Sequence, residues 1–565
     1  MPWRRQSYEV LPALSVRGRA LRESLRTVTR AWMLGVVWRS CISGSQMKVF
    51  ARMLGFDDFD FGLLAALPFV ATFGQLVAAV LIEQTGLRKF QFLHCGTITR
   101  LLWLVVAAIP LALPVPGRSG IVTTLLVLLT IWFAGAMTDI AWLTWMGDLV
   151  PRRIRGRYFA ARLRWTQPVG IVVVIALGIL LDAVSRGGAP ETAQEQPLLM
   201  YTICGIFAVG ALFGTADILL FRSIRDVVRT TPEARPKPVF KITAPRPARW
   251  HPASVAAYAA GLAGSAVYQM LIEPLKDHLV RRYVLHGMTI AFVMSVGGWF
   301  FWLNAMENLG FSKLGVNFLF LVLSPVVGIF AAKVWGRLID RWGRRPILII
   351  CTLGTITSIL PWFLVTRDTP HPQFLQDAAN RLAHALGAVV GRPGWVWVTE
   401  QTPVGAYLGG VVAMVAGGCF WTGVTLAQTG ILLGFSDGQG RSKYVAASGV
   451  LISFGGIAGG IAGGSVAQAL HFLQADPIRI GPFLWNNWHA AFALSAVGRI
   501  LAVGWLIGMP DPGAVHVRYV LRQMGTNVYN AMTTRLFYPL RIFGWQREKG
   551  PKRNDAGDGN GQQSG

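Results

Sequence analysis

The sequence predicts an all-α polytopic membrane protein, with twelve transmembrane helices in two related six-helix halves. Three observations predict it. Hydrophobic residues make up 53% of the 565 residues and charged ones only 14%, against roughly 25% charged in soluble domains. Several apolar stretches, Phe61–Ile82 and Ala406–Phe435 among them, exceed the ~20 residues a helix needs to cross hydrocarbon. Three short anchors also recur in one order, six spans apart.

Residues 1–30 form a basic, mostly polar N-terminal segment. They lack a short apolar core followed by a cleavage site, so the first span is expected to direct insertion. The first half, 31–221, holds spans near 31–54, 61–83, 91–113, 121–147, 159–182 and 198–221. Residues 222–286 form a central loop with 11 Lys/Arg and with Pro232, Pro236, Pro238 and Pro245, a density that breaks helix. Its apolar middle, Ser254–Leu271, is expected to lie on the bilayer or under the bundle, because one more crossing would reverse every later loop. The second half, 287–510, holds spans near 287–308, 314–336, 346–366, 405–433, 444–472 and 488–509. Its long loop 367–404 carries Trp395 and Trp397, whose rings suit the headgroup zone. Residues 511–565 form the tail. Within it, 515–532 place Val517, Val520, Leu521, Met524 and Val528 on one helical face, the pattern of an interfacial amphipathic helix. The last residues, rich in Gly, Asn and Gln, read as disordered.

An even number of spans puts both termini on one side. The formal charge of +26 is unevenly placed: 38 Lys/Arg lie in the tails and the loops sharing their side, 7 in the opposite loops and 8 inside spans. This is the positive-inside pattern. It places both termini in the cytoplasm, in a plasma (inner) membrane, and removes the need for a nucleic-acid partner. Cys41, Cys95, Cys204, Cys351 and Cys419 all sit in apolar spans and form no CxxC pair, so buried thiols are expected rather than disulfides or zinc. No HExxH or other metal spacing occurs among the nine histidines, and no GxxxxGK[ST] phosphate loop is present. No cofactor is expected.

The repeat fixes the architecture. Leu54-Gly55-Phe56 ends the first span and Leu309-Gly310-Phe311 the seventh. Glu83-Gln84-Thr85-Gly86-Leu87-Arg88-Lys89 follows the second, and Asp340-Arg341-Trp342-Gly343-Arg344-Arg345 the eighth. Arg155-Gly156-Arg157-Tyr158 opens the fifth, and Arg441-Ser442-Lys443-Tyr444 the eleventh. Three anchors in register are the mark of a duplication.

At these residues the chain resembles the major facilitator superfamily. Gly336 to Arg345 looks like that family's loop signature in its second-half copy, and Asp148-Leu149-Val150-Pro151 with Arg155 to Tyr158 looks like its link between helices 4 and 5. The resemblance covers roughly residues 31–510 and implies two bundles around a central cavity with alternating access by rocking. The first-half copy of the signature is degenerate, with Ala79 for the leading Gly and Glu83 for the Asp. A carboxylate at a helix end and arginines beyond it can latch one face of such a cavity. Candidates are Gly336, Asp340, Arg341, Gly343, Arg344 and Arg345, with Glu83, Arg88 and Lys89 in the other half and Asp148 as a partner. The alternative is that these cations only anchor topology. The stretch Thr166 to Ile171 does not match the family's drug-antiporter run, and Pro232-Glu233-Ala234-Arg235 is only a displaced echo of its sugar-porter string.

A charge at mid-bilayer is costly and usually faces a cavity or a partner. Arg39, Arg100 and Asp139 are expected at similar depth, about 12 Å from the cytoplasmic side at ~1.5 Å per residue, so Asp139 can neutralise either arginine. Arg499 lies mid-span with no acid at its depth, which favours a structural role. Arg162 and Arg164 lie nearer a helix end and can snorkel. For Arg39, Arg100 and Asp139 two readings stand. They form a cationic cavity for an anionic or zwitterionic substrate, with Asp139 carrying a coupling proton, or they are buried pairs that fix packing. Trp38, Trp142, Trp145, Trp302 and Trp421 can line a cavity or fill the core. Gly455, Gly459 and Gly463, beside Gly456, Gly460 and Gly464, make two small-xxx-small rows.

The expected function is secondary active transport of a small molecule, coupled to a proton or other ion, by a monomer whose partners are the bilayer, the substrate and the coupling ion. The alternative is a non-transporting sensor or scaffold on the same fold. A membrane enzyme is disfavoured, because Asp139 stands nearly alone among the spans.

Overall fold

Hydrocarbon offers no water to unpaired backbone groups, so a chain this apolar must close its hydrogen bonds within itself. Its long apolar stretches fold as helices. The computed structural model describes residues 18–85, 87–151, 154–185, 196–224, 272–389, 403–436, 442–511 and 513–523. Among these, eleven helices are long and apolar enough to cross a membrane, which makes this an integral multi-pass membrane protein.

The chain begins with α1 (Gly18–Ile42) and, after a break, α2 (Ser45–Met53). Next come α3 (Asp58–Ala79), α4 (Arg88–Ala112), α5 (Arg118–Leu149), α6 (Arg155–Val184) and α7 (Pro197–Leu220). The second group is α8 (His278–Asn308), α9 (Lys313–Trp342), α10 (Arg344–Leu364), α11 (Gln373–Val389), α12 (Val404–Ser436), α13 (Ser442–Ala469) and α14 (Asn487–Leu506). A hairpin of β1 (Ile478–Ile480) and β2 (Phe483–Trp485), with Ile478 opposite Trp485, joins α13 to α14. We call the end where α1 starts proximal and the end where α2 stops distal.

Four local expectations need correction. The helix at the expected first span begins at Gly18 and is not continuous. Gly44, at φ +95°, breaks it, and a Cβ there would lie 2.8 Å from Asn317 Oδ1. The seventh span starts at His278, nine residues before the expected 287, because Asp277 accepts hydrogen bonds from the Leu279 and Val280 amides and caps the helix there. The loop 367–404 contains α11. The tail does not simply lie on the membrane: the described part, 517–523, is helical, and Val520 is fully buried against Trp342, Ile347 and Leu506 of the bundle. Met524, Val528, Trp395, Trp397 and Ser254–Leu271 lie outside the described residues.

In the first group α1 packs on α7 and α6, α4 on α5 and α7, and α3 on α5. In the second, α8 packs on α14 and α13, α10 on α12 and α14, and α9 on α12. The groups meet where α3 lies against α13 and α6 against α9. The two glycine rows of α13 serve different neighbours. A Cβ on Gly455, Gly459 or Gly463 would meet the backbone of Met288, Phe292 or Val296 on α8. A Cβ on Gly460 or Gly464 would lie 2.6–2.9 Å from the Gly62 backbone on α3, and one on Gly456 would strike Phe69. One row therefore joins α13 to its own group. The other lets the two groups touch backbone to backbone.

Candidate functional site

The span charges expected at one depth are brought together only in part. Arg100, on α4, is buried; its guanidinium stacks 3.5 Å from the Trp38 ring centroid, and Nη2 lies 3.8 Å from Asp217 Oδ2 on α7. Its partner is thus Asp217, a residue not singled out from sequence. Asp217 lies four residues from the expected end of its span, and counting residues from helix ends places it too shallow. The close approach is built in by glycines. A Cβ on Gly35 would lie 2.6 Å from Asp217 Oδ2, and one on Gly214 would lie 2.7 Å from the Trp38 ring. The pair is slack: Arg100 Nε, Asp217 Oδ1 and Trp38 Nε1 have no hydrogen-bond partner among the described residues.

Arg39 and Asp139 are exposed and form no ion pair among the described residues. Trp142 is half-buried and serves Arg162, whose guanidinium lies between Trp142 at 5.1 Å and Trp32 at 4.8 Å. Arg499 is buried on α14. It donates to the Thr355 carbonyl, which also accepts from Ser358 Oγ, and to Ser358 Oγ itself, where α10 tightens into a 3₁₀ turn, and lies 5.1 Å from Trp421. Its missing acid is replaced by these carbonyl and ring partners. Trp145 and Trp302 are buried.

The loop-signature residues sit at the proximal end, and the hydrogen bonds given for them between described residues stay within each group. Asp340 and Arg341 are exposed. The Arg344 and Arg345 amides donate to Asp511 Oδ2 at 2.9 and 2.8 Å, and Arg345 Nε donates to the Leu506 carbonyl. Gly343 turns the chain at φ +95°, where a Cβ would lie 2.7 Å from Ala514. Gly336 has open space around it. Lys89 donates to the Arg222 and Ile224 carbonyls at 2.8 and 2.7 Å, and Arg88 to the Thr144 carbonyl at 3.4 Å. The side chains of Glu83 and Asp148 lie outside the described residues.

Polar ties between the two groups concentrate at the distal end. Arg52 holds Glu307 through two hydrogen bonds of 2.9 Å and lies 3.7 Å from Asp58. Asp58 is fully buried; it accepts from Asn487 Nδ2 at 2.7 Å and Trp488 Nε1 at 3.2 Å, with His471 Nδ1 at 3.1 Å. Asp182 accepts the Lys313 and Leu314 amides at 2.7 and 3.0 Å, and Lys313 Nζ donates to Ser185. Asn317 Oδ1 accepts from the Ser45 amide at 2.8 Å. Nearer mid-depth, Thr72 meets Ser453 at 2.6 Å and Ser295 donates to the Ala65 carbonyl. Between described residues, no hydrogen bond or ion pair given by the structure joins the groups at the proximal end. These ties escaped sequence reasoning because each partner lies one to four hundred residues away.

A family model described as Major Facilitator Superfamily matches residues 32–376. Among solved structures, the fold is similar to that of the nucleoside transporter NupG, with 13% identity over 87% of this chain and 99% of that chain and a TM-score of 0.51. It is similar to an inward open conformation of the xylose transporter XylE from E. coli, with 13% identity, coverage of 88% and 98% and a TM-score of 0.52. A bacterial homolog to the human lysosomal transporter Spinster, inward-facing and unoccupied, is 14% identical with coverage of 87% and 95% and a TM-score of 0.50. At these identities the likeness is one of fold. No curated protein matches the sequence.

Proposed function

The chain belongs to the major facilitator superfamily, a family of transporters rather than enzymes, and from that premise we propose a secondary transporter in which two six-helix halves rock about a central site, captured closed at the distal end. The packing pairs support six plus six: α1–α7, α4–α5 and α3–α5 are matched by α8–α14, α10–α12 and α9–α12, with α1 and α2 together as the first span. The charge bias puts the proximal end in the cytoplasm, so this arrangement faces inward.

The observation that carries the reading is the one-sidedness, among the described residues, of the ties between halves. Arg52–Glu307, Asp58 with Asn487 and Trp488, and Asp182 with the first amides of α9 all close the distal side. Among the described residues, the loop-signature groups Asp340, Arg341, Arg344 and Arg345 make no ion pair across the halves. In the opposite state they are the natural latch, with Glu83, Arg88, Lys89 and Asp148 on the other side. Two discrete sets of contacts that cannot coexist are what a bistable interface requires.

Arg100 and Asp217 form the coupling pair in this reading. Their separation leaves one polar atom on each unsatisfied, so a proton or solute that completes either costs little rearrangement. Asp139 lies close enough to Arg100 and Arg39 to feel both charges and, with Arg39, is the candidate to contact the substrate, while Trp142 packs on Arg162. Arg499 holds α14 to α10 and is structural.

The test is flux. A metabolite library is screened by thermal shift, and each stabilising solute is then followed into vesicles containing the purified protein. Solute movement that the protein accelerates, and that a proton or solute gradient drives, is expected. Binding without protein-dependent movement across the whole set would leave a sensor instead.

A further inference from the structure

After Leu364 closes α10 at the distal end, the chain runs back against the start of α12. A Cβ on Gly405 would strike the Thr369 carbonyl, and one on Gly409 would strike Val365. The Ser312 amide donates to Tyr407 Oη at 2.8 Å, which sets the first turns of α12 level with the start of α9. The helix α11 (Gln373–Val389) begins just after Thr369 and packs on α12. Its start therefore lies at the distal level of the spans.

Successive residues of a helix turn by about 100°, which divides α11 into three sectors. Leu375, Gln376, Ala379 and Asn380 are half-buried and Gly387 is buried, so this sector faces the bundle. Its amides are bonded along the helix: His371 Nε2 lies 2.9 Å from Gln376 Oε1, and Gln376 Nε2 donates to Asn380 Oδ1 at 3.2 Å. Gln373, Asp377, Arg381 and His384 are exposed and share a polar sector about 80° wide. Phe374, Ala378, Leu382 and Ala385 are exposed as well and share an apolar sector of about the same width. Phe374 is 68% exposed and Leu382 60%.

A helix resting on a protein in water needs two sectors, one for each neighbour. The third sector of α11 calls for a third neighbour, and an apolar one. Single exposed apolar residues are ordinary, but these four form one unbroken strip. The adjoining spans identify what covers it. Leu360 and Leu364 on α10 and Leu408 and Val412 on α12 are exposed at the same end. They belong to spans, where lipid covers them. Arg381 borders the polar and apolar sectors beside Phe374, where its stem can lie on acyl chains while its guanidinium reaches a headgroup phosphate.

We infer that α11 is an interfacial helix whose partner is the distal leaflet of the bilayer. Phe374, Ala378, Leu382 and Ala385 seat in the acyl chains, and Arg381 meets the phosphates. The long loop between α10 and α12 is thus a membrane anchor on the second group of helices. The seating is independent of solute movement, and a failed flux assay leaves it untouched.

The experiment places single nitroxide labels on the full chain, with its five native cysteines as alanine, in phosphatidylcholine vesicles. Collision with oxygen, which concentrates in acyl chains, and with a water-soluble nickel chelate gives the depth of each label. Labels at Phe374→Cys and Leu382→Cys are expected about 5–10 Å below the headgroup boundary. Labels at Asp377→Cys and His384→Cys are expected in water, open to nickel. Ala378→Cys or Ala385→Cys replaces either apolar position whose labelled chain melts below wild type. Nickel that reaches all four labels equally overturns the inference and puts the whole outer face in water. Exclusion of both reagents at Phe374→Cys and Leu382→Cys also overturns it. Protein then covers the strip, and spin coupling that fades on dilution with unlabelled chain identifies a second copy.

Discussion

Replacing Glu307 with Gln removes the acid from the strongest distal tie. In the wild type, Arg52 makes two charge-assisted hydrogen bonds of 2.9 Å to it, and both side chains are about four-fifths buried. Hydrogen bonds to charged groups contribute about 1.5–3 kcal/mol net, and a fully buried pair that loses one member costs about 3–5 kcal/mol. Arg52 keeps Asp58 at 3.7 Å and the Phe56 carbonyl at 2.9 Å, so the lower range applies, about 1.5–3 kcal/mol. At about 1.4 kcal/mol per tenfold, the ratio of distal-closed to distal-open chains falls by about ten- to a hundredfold. The assay is thiol labelling at Leu314→Cys with a maleimide that does not cross the membrane, in a chain whose five native cysteines are alanine. Leu314 lies at the α6–α9 seam, where a Cβ on Gly178 would be 2.7 Å from its Cα. Labelling is expected to speed up by at least tenfold in Glu307→Gln. An unchanged rate in a variant of wild-type melting temperature would refute the argument that this pair holds the distal side shut.

Other consequences are independent of that pair. Gly460→Ala drives a Cβ into the α3 backbone across the halves and is expected to raise Leu314→Cys labelling. Gly459→Ala clashes with Phe292 of its own half instead, and should cost stability of about 1–3 kcal/mol, seen in the melting temperature, without faster labelling. Asp511→Ala removes the acceptor of the Arg344 and Arg345 amides at the start of α10, expected to lower stability by about 1 kcal/mol in the same melt and to leave distal labelling unchanged. Asp340→Asn removes the proposed proximal latch, so the population should shift further toward the distal-closed state and labelling should slow; a rate equal to wild type would exclude the latch.

The spans were legible because hydropathy is a local property: the eleven long apolar helices among the described residues overlap spans read from the sequence, though the seventh begins nine residues early, and the glycine rows of α13 were visible from spacing alone. Which partner each row faces was not, since α3 and α8 are equally apolar. Arg100 was legible as a costly charge. Asp217 was missed because helices tilt and side chains reach, so residue count from a helix end is a poor measure of depth. The break at Gly44 lay hidden inside an apolar run, and with it Lys48, whose stabilising rings come from α8, 251 to 254 positions away in the chain. Asp340 was found by its motif, whereas Asp511, which caps the following helix, belongs to a stretch read only as tail. Local patterns reveal elements and costly residues. Pairings made across the two halves need the fold.

The most direct test of rocking halves uses two spin-label pairs on the full chain in lipid. One pair, Ser119→Cys and Arg479→Cys, spans the distal end; the other, Thr85→Cys and Arg337→Cys, spans the proximal end, and all four positions are exposed. Glu307→Gln is expected to lengthen the distal distance and shorten the proximal one in the same molecules. Distances that stay fixed, or that grow together, would contradict alternating access about a central site.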